Sequence, residues 1–156
     1  MLKKVKLKIV TERSAAAGSL FADGGARILC TPEAPRRAVT MAEGNYLDDG
    51  ARVSVIYKEA ENNGLAGSRA TLSFVKSAPG TVTMRRDGGV RTLLTFEENT
   101  RCYGVYETPL MRFDVCVYTE KVTNAIERDG TLTLDYMVEL KGAEPEHARL
   151  TLSIEP

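Results

Sequence analysis

The 156-residue chain has no tryptophan and one histidine, and neither sign of charge is in excess, with 21 Lys and Arg against 21 Asp and Glu. Each shortage excludes something. A Ser/His/Asp or Cys/His catalytic site would have to run through His147, in Glu144-Pro145-Glu146-His147, and a lone histidine beside a turn is ordinarily a surface residue. Balanced charge creates no global field toward nucleic acid or an anionic membrane, so neither is expected as a partner. No stretch approaches the roughly 20 apolar residues of a membrane helix. The N-terminus MLKKVKLKIV starts basic, but its lysines break every apolar run, so no secretory signal is expected. Three cysteines, Cys30, Cys102 and Cys116, are an odd number, and the expected setting is a reducing cytoplasm.

Phosphate loops and metal sites are also missing. Gly24-Gly25, Gly64 with Gly67, and Gly88-Gly89 read as turn glycines, since none opens the helix that a phosphate-cradling loop needs. A zinc site needs three or four converging ligands. Cys102, Cys116 and His147 are the only formal set, and no spacing supports it. No cofactor and no metal are expected.

What the chain has is alternation with a period of two. Val5, Leu7 and Ile9 alternate with Lys4, Lys6 and Lys8, and Val53, Val55 and Tyr57 follow a turn at Asp48-Asp49-Gly50. Leu72 and Phe74, Val82 and Met84, and Leu93 to Phe96 mark further strands, with Asp87-Gly88-Gly89 between the last two. Thr100 to Glu120 reads as two runs joined at Glu107-Thr108-Pro109, where proline cannot donate to a ladder. Asp129-Gly130 leads into Leu132, Leu134, Tyr136, Val138 and Leu140, and Leu150, Leu152 and Ile154 close the chain. About ten strands punctuated by turns predict an all-β domain over residues 1–156, a single antiparallel barrel of about eight to ten strands. Ser14 to Arg37 breaks the pattern and reads as a long loop, or a hairpin around Asp23-Gly24-Gly25. The basic first strand and the acid-rich final third are expected to be neighbours in the closed barrel.

The segment EGNYLDDGARVSVIYKEAENNGLAGSRATLSF from Glu43 to Phe74, followed by RRDG at Arg85, YETP at Tyr106 with Tyr118-Thr119 behind it, and the closing TLTLDYMVELKG and LTLSI, resembles the YwiB-like family. The resemblance covers roughly Ala38 to Ile154 and the first strand. It implies a bacterial protein with a calycin-like, lipocalin-type β-barrel, and it brings no catalytic residues. The segment from Ser14 to Arg37 is longer than the family leads one to expect, and Met111 stands where it usually has glycine. Classical lipocalins carry a tryptophan at the barrel base, so their ligand chemistry does not transfer to a chain without one.

Polar residues on the apolar face are the remaining signal. Arg86 alternates with Val82 and Met84, and Tyr57 with Val53 and Val55. With Phe113, Val115 and Val117 inside and the turn at Thr108-Pro109, Arg101, Tyr103 and Glu107 are expected to point inward too, and Cys102 and Cys116 to share the opposite face. Tyr57, Arg86, Arg101, Tyr103 and Glu107 are then the candidate ligand-binding residues, suited to a small amphipathic acid with its carboxylate on arginine. That reading makes the chain a small-molecule-binding barrel. One alternative is a packed interaction barrel acting through its surface or as a homodimer. The other is an enzyme with Glu107 as base and Arg101 as electrostatic partner.

Overall fold

The computed structural model describes residues 2–21, 29–30, 35–59 and 68–155. The strands are β1 (Leu2–Ala17), β2 (Leu29–Cys30), β3 (Arg36–Asp48), β4 (Arg52–Lys58), β5 (Arg69–Val75) and β6 (Thr81–Asp87). They continue as β7 (Arg91–Glu97), β8 (Arg101–Glu107), β9 (Arg112–Ala125), β10 (Thr131–Leu140) and β11 (Glu146–Glu155), with one helical turn α1 (Ile126–Asp129) after β9. β3 to β11 pair in chain order, and β1 lies between β3 and β11, closing a ten-stranded antiparallel barrel. The two-residue β2 pairs outside this ring with the end of β1, at Ala16 and Ala17. Closure sets the first strand against the last, with Lys6 opposite Glu155 and Glu12 opposite Arg149.

Alternation decides which side chains enter. Leu7, Val53, Val82, Phe96, Leu134 and Leu152 are completely buried and belong to one core cluster. The strand ends at Asp48, Glu97, Ala125 and Thr131 define one end of the barrel, which is filled. There Ile126 of α1 is buried, and Phe96 meets Tyr136 edge-on with centroids 4.8 Å apart. The Asp48-Asp49-Gly50 turn is capped by its own carboxylates, with Asp48 Oδ1 accepting from Gly50 N at 2.9 Å and Asp49 Oδ1 from Arg52 N at 2.7 Å.

Three features depart from the expected pattern. First, β1 continues through Ser14 to Ala17 and β3 starts at Arg36, so both ends of the supposed loop are strand. Residues 22–28, including Asp23-Gly24-Gly25, and 31–34 lie outside the described residues. β3 carries little core signal because its interior positions hold Ala38, Thr40, Ala42 and Gly44, while Val39 and Met41 face solvent at 48% and 62% exposure. Gly44 marks where β3 crosses closest to its neighbours. A Cβ there would lie 2.5 Å from the Ile56 carbonyl oxygen and 2.8 Å from Leu7 Cδ1. Gly44→Ala must therefore move backbone and is expected to destabilise by about 1–3 kcal/mol, measurable by urea unfolding.

Second, the β8–β9 hairpin has a four-residue loop, not a tip at Thr108-Pro109. Thr108 N donates to the Met111 carbonyl at 2.8 Å and Met111 N to Thr108 Oγ1 at 3.0 Å, so Glu107 pairs with Arg112. This moves the expected register by one, which reverses the faces of β8. Third, the β9–β10 register shifts between Asp135 and Tyr136, a bulge at Glu120.

Candidate functional site

The end of the barrel opposite α1 is hollow. A cavity of about 560 Å³ opens there, bounded by the upper halves of β1 and β3 on one side and by β4, β6, β10 and β11 around it. Its space comes from the β3 side, where Ala38 and Thr40 occupy interior positions that would otherwise hold large apolar side chains. Deeper walls are Ile9, Leu94, Val115 and Leu150, with Tyr57 and Tyr136 among them.

The polar centre of the cavity is an ion pair. Arg86 Nε donates to Glu59 Oε1 at 2.9 Å, and the two side chains are only 12% and 7% exposed. β6 delivers Arg86 two residues beyond Met84 on the inner face, and Glu59 follows directly on β4, its backbone held by Glu59 N donating to the Ser68 carbonyl at 2.8 Å. Burial opposes the charge on Arg86, but the adjacent Glu59 carboxylate and its hydrogen bond outweigh that and hold the guanidinium firmly protonated. Burial, reinforced by Glu59, pushes the Tyr57 hydroxyl well above the ordinary tyrosine range, so it stays a proton donor. Nearer the mouth, Arg13 Nη1 lies 3.4 Å from Glu146 Oε2, and Arg36 Nη2 lies 3.9 Å from Glu146 Oε1. Among the described residues, four arginines and three glutamates line the space.

Of the five residues singled out from the sequence, the cavity gathers Tyr57 and Arg86. It does not gather Arg101, Tyr103 and Glu107. In the observed register Cys102 pairs with Val117, Gly104 with Val115 and Tyr106 with Phe113, so these share the inner face and their neighbours turn outward. Tyr103 is 64% exposed and sits near the Phe21 ring, with centroids 6.2 Å apart. Glu107 Oε1 lies 3.9 Å from Arg112 Nε at the hairpin end. A catalytic pairing of Glu107 with Arg101 therefore has no place in the cavity. Gly104 permits the close passage of β8 past β7, since a Cβ would fall 2.7 Å from the Leu93 carbonyl oxygen. Glu59, Arg13, Arg36 and Glu146 were missed. Glu59, Arg13 and Glu146 lie beyond the large apolar residues of their strands, and Arg36 begins a strand that lacks an apolar stripe.

The register also separates the cysteines. Cys102 faces inward and Cys116 outward, so the pair does not share a face. Both are free thiols, and Cys116 is fully buried beneath Leu20, its thiol pushed upward mainly by that burial. Alkylation of native protein is expected to leave Cys116 unmodified until the strand is opened by denaturant, with mass spectrometry of digested protein as the check.

His147 meets neither cysteine. It hydrogen-bonds Asp135, and Glu120 joins them, with ligand-type atoms of all three within 4.8 Å. Asp135 is also paired in register with Lys121 and with Arg149, so cationic neighbours compensate this surface cluster.

The comparisons agree with this architecture. A family described as a domain of unknown function, DUF1934, matches residues 32–152. The crystal structure of the ywiB protein from Bacillus subtilis is similar with a TM-score of 0.64 at 14% identity, over 99% of this chain and 96% of that one. At that identity the likeness concerns the fold. No curated protein matches. The closed barrel, the ordered segments from Glu43 to Ile154 and the family match lead to one statement: the chain belongs to the DUF1934 family, the YwiB-like proteins with a calycin-like β-barrel.

Proposed function

We propose that this barrel binds one small amphipathic molecule with an anionic head, its apolar part directed toward Leu94, Val115 and Leu150. The observation that carries this reading is the cavity itself. About 560 Å³ falls inside the roughly 300–1,000 Å³ typical of small-ligand sites. Its chemistry supports the ligand class. Glu59 neutralises Arg86, and among the described residues the rest of the lining, three arginines and two glutamates, leaves room for one negative charge. Planar guanidinium groups favour a carboxylate or a similar planar anion. The protonated Tyr57 hydroxyl supplies a donor within the same space.

Native mass spectrometry of gently purified protein tests this, together with titration by anilinonaphthalene sulfonate, itself an anionic amphipath. The expected result is one saturable site per barrel, with or without a co-purified mass. Thr11→Trp, which fills the cavity from β1, should abolish it while the circular dichroism of the barrel persists. A clean apo mass with no saturable binding overturns the proposal.

A further inference from the structure

β3 has a free edge. Its ladder with β1 runs from Arg36 to Leu47, but its ladder with β4 covers only Gly44 to Asp48. Residues 37–43 thus have β1 on one side and, among the described residues, no strand on the other. Of these seven residues all but Thr40 and Ala42 are exposed. A strand edge of this length offers a row of backbone donors and acceptors to another strand. Between Arg37 and Glu43, residues 38–42 include no proline and no charged side chain, and no bulge interrupts the pairing with β1.

We propose that this edge is a homodimer interface, pairing antiparallel with the same edge of a second copy about a two-fold axis at Thr40. Continuity of the inner and outer faces allows only registers that pair odd with odd and even with even positions. Among these, centring on Thr40 makes the edge complementary to itself. On the outer face Arg37 meets Glu43 of the partner subunit, Val39 meets Met41 of the partner subunit, and both pairs recur by symmetry. On the inner face Ala38 meets Ala42 of the partner subunit and the two Thr40 side chains meet, all small enough to stand beside the cavity. Centring on Val39 instead would set Arg37 against Met41 of the partner subunit and leave Glu43 without a cation across the seam. The exposed apolar pair Val39 and Met41 is then covered, and the two charge pairs at its ends fix the register. Arg36, Arg37, Ala38 and Thr40 also line the cavity, so the partner strand and its Arg37–Glu43 pair flank the cavity mouth.

Sedimentation velocity with two single variants tests the interface. In Arg37→Glu and in Glu43→Lys each homodimer would set like charges together at both ends, and at least a tenfold weaker association is expected for each. Mixed together, the two variants restore an opposite-charge pair at both ends, and the equimolar mixture should dimerise where neither does alone. That recovery also shows that both variants are folded. The proposal fails if the wild-type chain is monomeric at tens of micromolar, an outcome that leaves the edge to a strand from another protein. It fails equally if the single variants dimerise as well as wild type, or if the mixture does not recover.

Discussion

Glu59→Leu is expected to destabilise the barrel by about 3–5 kcal/mol, because it strands the Arg86 guanidinium in the interior without its counter-charge. The pair is close and poorly solvated, with 2.9 Å between Arg86 Nε and Glu59 Oε1 and little exposure of either side chain. The favourable Coulomb energy of such a pair roughly offsets the cost of taking both charges out of water. Removing one partner leaves only the cost. The second half of the prediction follows from the same reasoning. Replacing both residues, with Arg86→Met added to Glu59→Leu, should recover most of the lost stability, since no uncompensated charge remains. Guanidinium unfolding of the two single variants and the double variant measures the coupling. A single-variant cost below about 1 kcal/mol would mean that water in the cavity solvates Arg86 well enough to make the pair dispensable. The double variant also separates stability from recognition, because loss of the Glu59–Arg86 pair leaves the other lining charges in place, and an anionic ligand should still bind.

Phe96→Ala should cost a similar amount, about 3–5 kcal/mol, for a different reason. Phe96 is completely buried in the filled end of the barrel against Tyr136. On one side β6 is held in ladders with both β5 and β7 and cannot move in to fill the space. Thr11→Val, on the wall of the open end, removes one hydroxyl beside existing space and should stay within about 0.5 kcal/mol. Thermal unfolding of both variants tests whether stability and hollowness are divided between the two ends. Equal costs would contradict that division.

These two sites also show what the sequence made legible. Leu134 and Arg86 could be assigned to the interior because each stands in a strand whose alternation is unbroken. Arg86 needed only Val82 and Met84 before it. β3 was illegible for the opposite reason. Where it lines the open cavity, the strand has no large apolar interior residues, and two prominent hydrophobics there, Val39 and Met41, face out. The hairpin strands were visible but their phase was not. That phase depends on whether the loop holds three residues or four, and the Thr108 hydroxyl that closes four is a side-chain hydrogen bond, not a pattern. One residue of loop length moved Arg101, Tyr103 and Glu107 from the inner face to the outer one. Glu59 was unreadable by any period because it acts from beyond a strand end. Turn chemistry was the most transferable signal, since the aspartates before Gly50 cap their turn through local contacts alone.

The pairing of β1 with β11 has a consequence for how the molecule is made. Partners such as Leu7 and Ile154 lie near opposite ends of the chain, so a ribosome releasing the polypeptide from the N-terminus presents β1 long before β11 exists. Until then β1 has β3 along one edge and the two-residue β2 at its end, and the nascent sheet is an open ribbon with an unsatisfied margin and an exposed apolar face. The seal forms last, and only once β11 has been made, which makes it the slow step by topology. Losing the final strand would therefore do more than remove ten residues. It would leave the sheet unable to curl shut, and the nascent protein would be released to the cell in its most adhesive form.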